Sequence, residues 1–150
     1  MRRLVRAAGI LTASVLAVLG LVHLLWAGGL QAGSAVAIPQ RGTQPVFVPS
    51  RTWTVAVAGG LLAAALTLLA RMGIARLPIV TAGCLRWGAW TLAALFGTRA
   101  IGEFRYVGLF KRERGTAFAR WDTRLYTPLC ILIASGSALV AACGSGPIDA

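Results

Sequence analysis

Acid is what this chain has least of. Four of its 150 residues are Asp or Glu, and one is His. So small a set leaves no His-based metal site. No Ser-His-Asp set is visible, and "GSG" near the C-terminus has neither a preceding strand nor a Lys, so it makes no phosphate loop. The three cysteines, Cys84, Cys130 and Cys143, are odd in number and form no CxxC pair. They give neither a disulfide framework nor a zinc site. All three sit in or beside apolar segments, where a buried free thiol is the expected state. No catalytic constellation stands out, and the sequence asks for no cofactor and no metal.

What the chain has instead is hydrocarbon. Hydrophobic residues make up 57% and charged residues 13%, against about 25% charged in an ordinary soluble domain. The mean hydropathy is +0.75. Long uncharged runs of this kind would leave a soluble fold with apolar surface it could not hide. The membrane class therefore comes first. The formal charge is +11, which in a soluble protein would suggest nucleic acid. Here the basic residues cluster at the ends of apolar segments, the pattern of headgroup contact and topology setting. No basic stripe interleaved with aromatics lies on a soluble domain, so a nucleic-acid partner is rejected. The partners expected are the lipid bilayer, including anionic lipid, and a membrane protein or a second copy of the chain.

The apolar runs divide into spans at about residues 4–27, 53–70, 79–101 and 123–143. The fold class is all-α, an integral membrane four-helix bundle in one domain. "MRRLVR" followed by an apolar run resembles a signal peptide, but the run from Leu4 to Ala27 far exceeds the ~7–15 residues of a signal h-region. It reads as a retained span. Residues 28–52 contain Pro39, Pro45, Pro49, Gly33 and Gly42 and read as a loop, of a length common in lids and binding segments. Residues 102–122 read as a charged interfacial segment. A last helix starting at Thr127–Pro128 would be about 24 Å long at 1.5 Å per residue, short of a ~30 Å hydrocarbon core. A start capped by Asp122 gives the full length, with a kink at Pro128. "GSGPIDA" is a short tail. Small residues at four-residue spacing mark packing faces: Gly9, Ala13 and Ala17; Gly60 and Ala64; Ala89, Ala93 and Gly97; Ala134, Ala138 and Ala142.

Alternating spans bring most of the chemistry to one membrane face. His23 and Trp26 end the first helix, Arg51 and Trp53 begin the second, and Arg99, Glu103, Arg105 and Tyr106 end the third. Asp122, Arg124 and Tyr126 begin the fourth. Arg99 and Glu103, four apart, fall on one helix face and can neutralise each other. The helix C-terminal dipole disfavours an anion at Glu103, so a second cation or donor is expected there, from His23 or Arg124. "KRERG" reads as a solvated or lipid-facing turn. The ligand-binding candidates are His23, Trp26, Arg99, Glu103, Arg105, Tyr106, Asp122, Arg124 and Tyr126.

"HLLWA" (residues 23–27), "RWGAW" (86–90) and above all "RAIGEFRYVGLFKRERGTAFARWDTRLYTPLC" (99–130) resemble a family of small bacterial membrane proteins known as a domain of unknown function. Members usually carry Asp where this chain has Glu103, which keeps the charge and changes its reach. The resemblance implies a four-helix integral membrane protein of the bacterial cell membrane and implies no activity. The leading expectation is a polar pocket at one membrane face for a small amphipathic or anionic ligand, covered by the first loop. In it Arg99, Arg105 and Arg124 would hold the anionic group. Two alternatives are an accessory subunit docking a partner or anionic lipid, and a small membrane enzyme or proton-coupled carrier using His23 and Glu103. The N-terminal arginines argue for a cytoplasmic N-terminus, whereas the count of basic residues slightly favours a cytoplasmic polar end.

Overall fold

A computed structural model describes residues 2–42 and 44–144, which leaves most of the expected tail outside the described residues. Four long helices carry the fold: α1 (Arg2–Ala27), α3 (Arg51–Arg71), α4 (Ala82–Ile101) and α6 (Thr127–Cys143). Between α1 and α3 lie a short helix, α2 (Ser34–Ala37), and a two-residue antiparallel pair, β1 (Gln40–Arg41) with β2 (Gln44–Pro45). The five-residue α5 (Ala117–Trp121) runs through a π-helical turn, Asp122–Tyr126, directly into α6. The chain is thus all-α apart from that minimal ladder. α1 packs mainly on α3 and α4 mainly on α6, and smaller α1–α6 and α3–α4 contacts join the two pairs.

Three of these helical segments are long and apolar enough to cross a membrane: Arg2–Ala27, Arg51–Arg71 and the continuous run Ala117–Cys143. These mark a membrane protein. α4 is as long as a span but carries Arg86 and Arg99, which lower its hydropathy. The outward faces agree. Leu11, Val18, Leu25, Val57, Trp87 and Leu95 are all exposed, a surface suited to lipid rather than water.

Side-chain caps set the helix starts. The Ser50 hydroxyl accepts from the Trp53 amide at 3.3 Å, and Thr81 caps Cys84 at 3.3 Å. α4 therefore begins at Ala82 rather than near Ile79, which stands 95% exposed ahead of the cap. The last helical run starts earlier than the sequence suggested. Its cap is Thr116, whose hydroxyl accepts from Ala119 at 3.1 Å, while Asp122 lies fully buried inside the run. Pro128 causes no break. The π-helical turn just before it widens the backbone where the ring lacks an N–H.

Small residues set the helix approach at a few points. On α1 the buried set Val5, Gly9, Thr12, Ala13, Leu16 and Gly20 forms one face. Gly9 lies against Met72 and Val140, Gly20 against Leu62, and Gly136 of α6 against Thr12. α6 does not use the expected Ala134, Ala138 and Ala142 stripe. Its buried residues are Thr127, Cys130, Ile133, Gly136, Ser137, Val140 and Ala141. Gly60 faces open space. Of the cysteines only Cys130 is buried, and Cys84 and Cys143 are exposed.

The glycine contacts separate two substitutions of equal size. Gly136→Ala would drive a methyl into Thr12 and is expected to cost about 1–3 kcal/mol. Gly60→Ala meets nothing and removes helix-interior flexibility, so it is expected to be neutral or to stabilise by about 0.5–1 kcal/mol. Thermal unfolding of the detergent-purified protein measures both.

Candidate functional site

The most ordered polar structure is built on Asp122. Its side chain is fully buried and both oxygens are engaged. Oδ1 accepts from the Arg99 guanidinium at 2.9 Å. Oδ2 accepts from the Gly108 amide at 2.9 Å, Lys111 Nζ at 2.8 Å and the Thr127 hydroxyl at 3.1 Å. The Lys111 side chain is itself only 4% exposed. Lys111 also donates to the Gly108 carbonyl at 3.1 Å. One anion between two cations leaves the group with one net positive charge.

Local backbone geometry makes this convergence possible. α4 ends because Gly102 adopts φ 92°, and Gly108 adopts φ 86°. The two glycines lie back to back, so that a Cβ on either would collide with the other's backbone segment. The chain returns along the end of α4, with the Leu109 amide donating to the Ala100 carbonyl at 2.9 Å. That fold-back aims the Gly108 N–H at Asp122. On the other side the π-helical turn brings Thr127 to its acceptor five residues earlier.

The expected Arg99–Glu103 pair does not form. Gly102 turns the chain out of the helix, so the four-residue spacing no longer places Glu103 on the Arg99 face. Glu103 is exposed and accepts the Tyr106 amide in a local turn. It meets neither His23 nor Arg124. It lines a shallow hollow with Phe104, Arg105, Arg112 and Glu113. The Arg105 guanidinium lies over the Tyr106 ring, 5.0 Å from its centroid. "KRERG" is not a wholly solvated turn, because Lys111 is in the interior.

His23 and Trp26 belong to a different place. A cavity of about 540 Å³ opens between the end of α1 and the start of α3, beneath the first loop. His23, Trp26, Arg51 and Trp53 line it, with Ile38, Phe47 and Val48 from the loop. The His23 ring lies 4.9 Å from the Trp26 ring, and its Nδ1 donates to the Leu19 carbonyl at 2.8 Å. That bond leaves Nε2 free. The first part of the loop is held at two points. Trp26 Nε1 donates to the Ala32 carbonyl at 2.8 Å, and the Tyr126 hydroxyl donates to the Val36 carbonyl at 3.3 Å. Tyr126 thus positions the cover rather than lining the cavity. Arg124 lines a second hollow, outside α5 and α6. Among the described residues, no three of His, Cys, Asp and Glu come together as a metal site.

The family described as "Protein of unknown function (DUF3995)" matches residues 16–136. The chain belongs to that family. The matched region holds His23, the covering loop, both crossing glycines and the Asp122 cluster, so both features lie within the DUF3995 domain. It also contains all three stretches, from "HLLWA" to the run over 99–130, that carried the family resemblance. No curated protein and no solved structure matches the chain.

The candidate residues therefore fall into four places: Arg99 and Asp122 in the ion cluster, His23 and Trp26 at the cavity with Tyr126 on its cover, Glu103, Arg105 and Tyr106 in the turn, and Arg124 alone at the second hollow. Lys111, Gly108 and Thr127 were missed as partners. The lone Lys among fourteen arginines was the one available signal for the first. Asp122→Asn keeps the shape and strips the charge, leaving Arg99 and Lys111 uncompensated. It is expected to cost about 3–5 kcal/mol in unfolding experiments. Replacing Asp122, Arg99 and Lys111 together by apolar residues is expected to cost less than that single change.

Proposed function

We propose that the chain is a multi-pass protein of the bacterial plasma membrane that binds a small amphipathic ligand with an anionic head in the α1–α3 cavity. The observation that carries this reading is the lining. Trp26, Ile38, Phe47 and Val57 offer apolar walls, Arg51 supplies a guanidinium and His23 a ring nitrogen, and no carboxylate among the described residues lines it. The volume lies within the roughly 300–1,000 Å³ of small-molecule sites. Arg51 would hold the anionic group, for which a guanidinium fork is suited, and the free Nε2 of His23 would donate to or accept from the head. The loop cover supports retention of the ligand. In this reading α4 crosses the membrane with the other three helices as a four-helix bundle. Arg99 is neutralised internally by Asp122, which removes the main obstacle to its burial.

A second reading, an accessory subunit, is favoured by the exposed Phe104, Leu109 and Phe110 on the segment after α4. These would meet a membrane partner or the interface. A proton exchange between His23 and Glu103 has no geometric support, since the two line separate hollows.

Native mass spectra of the protein from lipid particles test the leading reading. A small molecule retained by the parent and lost in both His23→Ala and Arg51→Ala, with Glu103→Gln unaffected, is the expected result. Retention by both variants would overturn it. Topology is tested separately. In a chain with its three cysteines replaced, Ser34→Cys and Glu113→Cys are expected to react with an impermeant maleimide from the same membrane face. Labelling from opposite faces would exclude a membrane-crossing α4.

A further inference from the structure

Arginines outside the Asp122 cluster form a second concentration of charge with a shape of its own. A hollow of about 560 Å³ lies along the outer side of α5, the π-helical turn and the start of α6. Lys111, Arg114, Arg120 and Arg124 line its polar part, and Leu109, Pro128 and Ile131 its apolar part. Among the described residues, no carboxylate lines it. Asp122, beside Lys111, has both oxygens committed to Arg99 and Lys111. Among the described residues, no salt bridge engages Arg114, Arg120 or Arg124.

Two of these guanidinium groups are tethered without being consumed. Arg114 Nε lies 3.4 Å from the Lys111 carbonyl, and one Arg120 Nη lies 3.5 Å from the Gly115 carbonyl. Each keeps its remaining N–H groups for another acceptor. The nearby hydroxyls are taken, Thr123 by the Ala119 carbonyl and Thr127 by Asp122. The free donors are therefore cationic, and a group with several acceptor oxygens and a negative charge would satisfy them. The order along the helix then selects among anions. Arg120 and Arg124 stand about one turn apart at the charged end, and Ile131 follows about 10 Å deeper at 1.5 Å per residue. It lies on a run apolar enough to cross a membrane. A free anion would use only the upper half of this hollow.

We infer that this hollow is a binding site for the phosphodiester headgroup of an anionic membrane lipid, with Arg120 and Arg124 on the phosphate and an acyl chain along Pro128 and Ile131. The site is distinct from the α1–α3 cavity. It rests on the reading of the Ala117–Cys143 run as a membrane span, and carbonate extraction of wild-type membranes checks that reading by itself. Loss of the chain to the soluble fraction would overturn the span.

The test uses the full chain in a neutral detergent, titrated with short-chain phosphatidylglycerol and read by native mass spectrometry. Arg120→Gln with Arg124→Gln removes the two guanidinium groups assigned to the phosphate, and Arg2→Gln with Arg6→Gln removes two from the opposite end. Losing two charge-assisted contacts is expected to weaken phosphatidylglycerol binding about tenfold or more. The opposite-end variant is expected to bind as the parent does. Short-chain phosphatidylcholine is expected to bind more weakly than phosphatidylglycerol, and excess inorganic phosphate is expected not to displace the lipid. Unchanged binding in the Arg120/Arg124 variant, at an unchanged unfolding midpoint, would overturn the site. Displacement by inorganic phosphate would reassign it to a free anion and overturn the lipid.

Discussion

A carboxylate sealed from solvent organises one end of this molecule. Asp122 accepts four hydrogen bonds from four separate stretches of chain: the end of α4, the fold-back after it, the segment that follows, and the head of α6. Each donor is in place for its own local reason, whether a glycine crossing, a π-helical turn or a lysine stem laid inward. An isolated buried carboxylate would be heavily penalised, and so would an isolated buried lysine. Together they satisfy one another, and the irregular segment between α4 and α5 gains a fixed course without regular secondary structure.

Much of the architecture was legible in the sequence because membrane helices announce themselves by length and hydropathy. Three long apolar helical runs, Arg2–Ala27, Arg51–Arg71 and Ala117–Cys143, each overlap an apolar run of the sequence. Local chemistry was harder to read. Arg99 and Glu103 matched a four-residue rule that holds only inside a helix, and Gly102 ends the helix between them. Asp122 resembled a cap because polar residues near a helix start usually are caps, and Thr116 six residues earlier took that role. The partner set of Asp122 depends on a fold-back between Gly102 and Gly108. The left-handed angles at those glycines cannot be distinguished from ordinary turn glycines by spacing alone. The alanine stripe on α6 failed for another reason. In an Ala-rich helix, small residues recur on every face, and only the neighbour decides which face is used.

The candidate residues do not form one pocket, and their division has chemical meaning. His23 and Arg51 line a space with mostly apolar walls. Arg120 and Arg124 line another at the border of a long apolar run. Arg99 lines neither and is committed to Asp122. The loop over the first space is joined to the helix beside the second through Tyr126 and Val36, and the Phe118 amide also donates to the Gln40 side chain at 3.5 Å. The two hollows have no lining residue in common and are linked only through these loop-to-helix contacts.

The pairing of helices has a consequence for assembly. α1 packs mainly on α3 and α4 mainly on α6, so the chain divides into two hairpins, each local in sequence. Each helix satisfies its own backbone hydrogen bonds, and a hairpin local in sequence can close before its sister has been synthesised. Hairpin docks on hairpin, and Thr12 against Gly136 is one of the places where they meet. Asp122 and all of its partners reside in the second hairpin, so the charged end is complete within that half, whereas the covering loop of the first hairpin is fastened to the second through Tyr126.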